Sequence, residues 1–212
     1  MLIKKKFSTF EEVLVKYVPD KAVDEVCRLL READISLKIV PPRKSVQGSY
    51  RIPTAYRKHF ITINDNLNPY TFLITLLHEI AHAHAYVKYK DIGHQKEWKI
   101  CFKHLLNRFI LLDVFPVVIQ MALEKHIERI KYSDVVDINL TKVLRQYDDN
   151  ATSDSKTITL QEIPKNAVFS HDKGTFQKGE RLRKYILCKN LTNNKMYRCH
   201  PLMLVKVVEN NT

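Results

Sequence analysis

Glycine is scarce in this 212-residue chain, with four in all, and tryptophan occurs once. So little glycine excludes a collagen-like chain or a Gly-rich linker. Long apolar runs are missing as well. The longest, Val114 to Ile119, has six residues, far below the roughly 18 that a membrane-spanning helix needs. The basic Lys4 to Lys6 are followed by Glu11 and Glu12 and not by an apolar stretch, so no secretory signal is expected. Cysteine is limited to Cys27, Cys101, Cys188 and Cys199, none in a CxxC pair. Without an export signal these read as reduced thiols and not as a disulfide framework. The absences together lead us to expect a soluble, cytoplasmic chain with no membrane partner. What is present is an ordinary globular composition, 45% hydrophobic and 27% charged. The length suits one sizeable domain, or one domain plus a small appendage.

Acid is the charge in short supply. Lys and Arg number 35 against 23 Asp and Glu, a net +12 with neutral His. The surplus is uneven. Residues 165–212 hold ten basic and three acidic residues, net +7, whereas 131–157 hold four and five. Lys38, Arg43, Lys44, Arg51, Arg57 and Lys58 stand in a stretch, 38–58, with no acid at all. Such asymmetry points to a polyanionic partner, DNA or another nucleic acid.

Hydrophobic spacing gives a coarse α+β map. Ser8 and Thr9 before Glu11 and Glu12 offer a capping box for a short first helix. Val23, Val26, Cys27, Leu30 and Ala33 recur at helical spacing. Ile35 to Ile39 alternates as a strand does, and Tyr50–Ile52 and Phe60–Ile63 read as further strands of one sheet. Asn68-Pro69 predicts a helix start, and the helix should run to about Lys88 with a broad buried face. Asp91-Ile92-Gly93 connects it to a helix beginning near His94. Asp113 and Pro116 open another. Residues 131–157, rich in Asp, Asn and Ser, read as a polar linker containing a short helix near Val143. Beyond it the period becomes two, with strands at Ile158–Ile163, Tyr185–Cys188, Met196–Cys199 and Leu202–Val208. Gly174, Gly179 and Asn193-Asn194 fall at the turns. The expected organisation is a domain over 1–130, a linker, and a small antiparallel β module over 158–212, with Val205, Val207 and Ile186 in its core.

One motif carries chemistry. His78-Glu79-Ile80-Ala81-His82 is an HExxH sequence within the strongest helix pattern. Residues four apart on a helix differ by about 40° in projection, so both imidazoles leave one face and can grip one metal ion. Zn²⁺ at such a site makes a water acidic, and Glu79 can accept its proton. A catalytic zinc needs a third protein ligand. His94, behind Gly93 where the chain must turn, is the best candidate. Glu97 is a weaker rival, and His84 should face the other side of the helix. His59, His104 and His126 have no matching spacing.

The run Ile61-Thr62-Ile63-Asn64, then Leu67-Asn68-Pro69-Tyr70, the HExxH motif, and Gly93-His94-Gln95-Lys96-Glu97-Trp98-Lys99 resembles the SprT-like domain, the zinc metallopeptidase domain also found in Spartan-type DNA–protein crosslink proteases. The likeness spans roughly residues 10–125. It implies a zincin-like helical domain with a small sheet, Zn²⁺ on His78, His82 and His94, Glu79 as general base, and a protein substrate. The family's third ligand lies in a His-x-x-x-Phe/Trp segment, which His94 to Trp98 matches.

The C-terminal module departs from that pattern. Many SprT-like proteins end in a four-cysteine zinc ribbon, and here only Cys188 and Cys199 are present, so a module without zinc is expected. Its tract Lys178 to Lys184, with Phe176, Tyr185 and Tyr197 interleaved, reads as a phosphate-contacting surface with stacking groups. Arg181, Arg183, Lys184 and Tyr185 are the candidate nucleic-acid contacts. Two readings follow. One is a zinc metallopeptidase acting on proteins bound to or crosslinked with DNA. The other is a catalytically silent nucleic-acid-binding or regulatory protein on the same fold. An intact Glu79 favours the first.

Overall fold

The structure, a computed structural model, describes residues 9–43, 46–91, 93–130, 137–148, 157–171 and 174–208. The chain divides into two units, Met1–Asp149 and Asn150–Thr212. The architecture is α+β, as the hydrophobic spacing leads one to expect.

The first unit opens with α1 (Thr9–Leu14) and α2 (Val23–Glu32). Ala33 ends α2, and Asp34 takes a left-handed conformation (φ 48°) that turns the chain into β1 (Ile35–Val40). β2 (Gly48–Arg51) and β3 (His59–Asn64) complete a three-stranded sheet in the order β1-β3-β2. β1 runs parallel to β3 and β2 antiparallel, which leaves β2 as an edge strand.

Against β2 and β3 lies α3 (Pro69–Tyr89). Its start is the expected one. Asn68 Oδ1 accepts from the Tyr70 and Thr71 N–H groups at 3.1 and 2.9 Å, and Pro69 gives up no needed donor. Phe72, Leu73, Leu76, Leu77, Ile80, Ala81, Ala83 and Ala85 are buried, so apolar surface surrounds most of the helix. A helix of that kind belongs at the centre of its domain. α4 (Lys96–Leu111) packs along it and presents Trp98, Phe102, Leu105, Leu106 and Phe109 to the same core. Asp113 (φ 52°) reverses the chain, and Pro116 caps α5 (Val117–Arg129).

The short helix expected within the linker is α6 (Ile138–Arg145). It is not a spacer, because Leu140 and Leu144 are buried in the first unit's core and Tyr147 packs on it. Asn68 ties it to α3, donating from Nδ2 to the Leu144 carbonyl (3.0 Å) and to Asp148. The rest of the polar stretch, 131–136 and 149–156, lies outside the described residues, as do Lys44 and Ser8.

The second unit is an antiparallel sheet of β4 (Thr157–Thr159), β5 (Val168–His171), β6 (Gly174–Arg181), β7 (Ile186–Asn190), β8 (Met196–Cys199) and β9 (Leu204–Val207), in the order β4-β9-β5-β6-β7-β8. Its core is Leu160, Ile163, Phe169, Phe176, Ile186, Cys188 and Val205. Several sequence expectations change here. The strand placed at Ile158–Ile163 stops at Thr159, because the Glu162 N–H bonds back to the Thr159 carbonyl and closes a turn. β5 and β6 carry too little apolar alternation to have been foreseen. Gly179 lies inside β6, not at a turn. A Cβ there would stand 2.8 Å from the Leu187 carbonyl oxygen, and the pairing slips between Lys178 and Arg181, which is the close approach that a strand glycine marks. Lys178 is buried and donates its ammonium to the Gln161 and Ile163 carbonyls. Val207 is 43% exposed and outside the core.

Candidate metal centre

α3 brings His78 and His82 to one face, one turn apart, with ring centroids separated by 5.1 Å. The third histidine comes from the turn between α3 and α4. Lys90 closes α3 in a left-handed conformation (φ 57°), its N–H bonding the Tyr86 carbonyl. Asp91 then braces the turn. One of its oxygens accepts from the Gly93 N–H at 2.8 Å and the other from the Trp98 N–H at 3.3 Å. His94 is thereby delivered beside the pair, its Nε2 3.0 Å from His78 Nε2 and its ring centroid 4.6 Å from that of His82. Ligand nitrogens of the three histidines lie within 4.8 Å of one another, and the group could hold a metal ion.

The wall of the centre is aromatic. Trp98 packs against His78, His82 and His94 at 4.6, 5.3 and 4.5 Å between centroids, and Phe102 stacks beneath it at 5.0 Å. The Trp98 indole N–H donates to the His78 carbonyl at 3.3 Å, which fastens α4 to the motif.

The chemistry of the donors fits a divalent cation. Burial, followed by the neighbouring His82 and His94, pushes His78 down to about 3. Burial and His94 bring His82 down to about 4. Both imidazoles are therefore neutral near pH 7, the state in which a nitrogen lone pair can bind a metal. His82 Nδ1 is buried without a hydrogen-bond partner. An unsatisfied buried polar atom costs about 1–3 kcal/mol, so this ring is held in place by packing and not by a hydrogen bond.

Glu79 sits beside the histidines and is 7% exposed. Burial pushes its carboxyl up to about 7, against the opposing pull of the Arg43 charge and a hydrogen bond from the Tyr50 backbone N–H. Arg43 is itself fixed, donating to Asn64 Oδ1 at 2.9 Å and Thr62 Oγ1 at 3.0 Å. Two residues that spacing could not single out shape this carboxylate's surroundings. A Cβ on Gly48 would lie 2.8 Å from Glu79 Oε1 and from Thr75 Cγ2, and 2.9 Å from Ile63 Cδ1. β2 can approach α3 because it has no side chain there. Tyr50, next on that face of β2, lays its ring parallel to that of His82 (5°, 6.0 Å) and shares a 2.8 Å hydrogen bond with His59 Nδ1.

The other candidates stand elsewhere. Glu97 is outside the three-histidine group. His84 lines a cavity of about 710 Å³ with Glu32, Asp34, Arg57 and His59. Of the nucleic-acid candidates, Arg181 ends β6, and Arg183, Lys184 and Tyr185 form the exposed connection to β7, closed by the Leu182 N–H on the Tyr185 carbonyl (2.7 Å). Phe176 is buried in the module's core and Lys178 is buried beside it, so neither belongs to an exposed stacking or phosphate surface. Tyr197 is 39% exposed and packs edge-on against Phe176. No described helix is long and apolar enough to cross a membrane.

Residues 15–115 match the model of the SprT-like family. Neither a curated protein nor a solved structure matches the chain. The matched span runs from the end of α1 through the sheet, the HExxH helix, the His94 turn and α4, so the chain carries an SprT-like domain over residues 15–115.

Proposed function

We propose that this chain is a zinc-dependent metallopeptidase on a zincin-like fold, with DNA-bound or DNA-crosslinked proteins as its substrates. The observation that carries the reading is the convergence of His78 and His82 of α3, both held neutral, with His94 of the following turn, beside the buried Glu79 carboxylate of α3. His78, His82 and His94 would hold the ion. A bound Zn²⁺ supplies Lewis acidity, bringing water to a pKa near 7 and polarising a scissile carbonyl. Glu79 takes the proton of the attacking water and returns it to the leaving amine. Its raised affinity for a proton suits both steps, since a general base works best near the operating pH. Gly48 and the Tyr50 N–H keep that carboxylate aimed. Trp98 and Phe102 form an apolar wall, which strengthens the electrostatics of the site.

The DNA half of the reading rests on charge. The net +7 of residues 165–212 and the exposed Arg181, Arg183 and Lys184 favour contacts with a phosphate backbone. A protein fixed on the same DNA would be presented to the peptidase at high effective concentration. The test is cleavage of casein or histone by the zinc-loaded chain, with and without DNA, beside Glu79→Gln. Cleavage that DNA stimulates and that Glu79→Gln abolishes is the expected result. A zinc-loaded chain that cleaves neither substrate, with or without DNA, would favour the catalytically silent alternative.

A further inference from the structure

We infer that Tyr50 is a positioning residue of this centre, a strut from the edge strand β2 that holds both the base and the second metal ligand and is itself held by His59. The inference rests on the metallopeptidase reading and adds to it a residue outside the HExxH motif.

Three contacts converge on the one side chain and its peptide. The Tyr50 backbone N–H favours the charged form of the Glu79 carboxylate. The Tyr50 ring lies parallel to the His82 ring, 5° between planes and 6.0 Å between centroids. The phenol oxygen is 2.8 Å from His59 Nδ1, and those two rings are also stacked, at 19° and 5.8 Å. His59 in turn meets Tyr86 of α3 edge-on at 6.0 Å, one turn beyond His82. The register explains why a single residue can do this. Gly48 and Tyr50 are two apart and share the face of β2 turned to α3. Gly48 lets the strand come close, since a Cβ there would collide with Glu79 Oε1, and Tyr50 then fills the space beside His82. His82 needs such a neighbour. Its Nδ1 is buried without a partner, so no hydrogen bond fixes the orientation of that ring. Metal-bound histidines are ordinarily oriented by a hydrogen bond from their second nitrogen, and here a stacked ring on an anchored phenol takes over the task. With its hydroxyl engaged by His59, Tyr50 acts on His82 and Glu79 and not on the substrate.

The experiment uses the full chain and four variants, Tyr50→Phe, Tyr50→Ala, His59→Phe and the double Tyr50→Phe/His59→Phe. Zinc affinity is measured by competition with a chromophoric chelator, alongside kcat and KM on casein. Tyr50→Ala should lose about tenfold or more in zinc affinity, the range that outer-shell partners command, with kcat lowered and KM unchanged. Tyr50→Phe keeps the ring and loses the anchor, so its losses should be smaller. His59→Phe should match it, and the double variant should be no worse than either single, because both remove one interaction. If Tyr50→Ala fails to fold, the Phe series decides alone. Variants with wild-type zinc affinity and wild-type kcat, or with only a lower melting temperature, would overturn the positioning role while leaving the metallopeptidase reading intact. A wild-type chain that takes up no zinc would overturn both.

Discussion

The proposed role of Glu79, taking a proton from water, needs a carboxylate that keeps its basicity, and burial provides for this. Its carboxyl lies near 7 in spite of Arg43 and the Tyr50 N–H. Glu79→Gln should retain zinc and fold while peptidase activity falls by about 10²–10⁴-fold, the usual worth of a positioned base. Metal analysis and a cleavage assay check both halves. Gly48→Ala is a sharper probe of geometry. The added methyl must displace Glu79 Oε1, Thr75 or Ile63, so activity should drop at least tenfold with zinc content unchanged, and an unimpaired Gly48→Ala enzyme would show that the carboxylate's position is not critical. The metal-free chain should also report its histidines. His78 and His82 are held down to about 3 and 4, so between those values and about 6.5 the unfolded chain binds more protons than the folded one. Their contribution to stability is complete above that window and is lost as pH falls through it. Glu79 acts in the opposite sense between 4.5 and about 7. His59 and His84, which burial also holds below the usual imidazole range, act in the same sense as His78 and His82, so stability should fall on going from pH 7 to pH 5. Denaturant titrations at the two pH values measure it, and a His78→Gln/His82→Gln variant should weaken the trend.

Elements differ in how much of their role the sequence discloses. α3 is legible from end to end. Asn68-Pro69 writes its start, helical spacing fixes its length, and the i, i+4 histidines follow from its geometry. The turn carrying His94 is legible in part, since Gly93 predicts a reversal, but the bracing by Asp91 depends on an approach to the Trp98 N–H seven residues later. Asp91→Ala should therefore weaken zinc binding about tenfold or more through a loosened His94, with chelator competition as the measurement. β2 hides its function completely. Four short residues, Gly48 to Arg51, give no periodic signal for an approach to a helix that begins 18 positions further on, so Gly48 and Tyr50 emerge only when the sheet is seen against α3. In the β module the same limitation acts differently. Lys178 and Phe176 look like surface chemistry in the sequence, yet one ammonium satisfies two buried carbonyls and one ring fills the core. Period-two alternation does not say which side of a small sheet is wet.

At the scale of the whole molecule, the chain couples an SprT-like domain to a basic β module, and the charge surplus is the property that no single element explains. Replacing Arg181, Arg183 and Lys184 together by Ser should weaken DNA binding and lower its salt slope by about two to three, leaving zinc content untouched. Fluorescence anisotropy at low salt is the check, and no affinity of the wild-type chain for DNA at about 50 mM salt would remove the DNA part of the account. The central claim is narrower and more exposed: three histidines from one helix and the following turn hold one zinc ion. Its most direct measurement is zinc stoichiometry by elemental analysis of the purified, zinc-supplied chain and of His78→Ala, His82→Ala and His94→Ala. One zinc per wild-type chain and much less than one in each variant is the expected result. A wild-type chain without zinc, or a His94→Ala chain that retains a full equivalent, would contradict it.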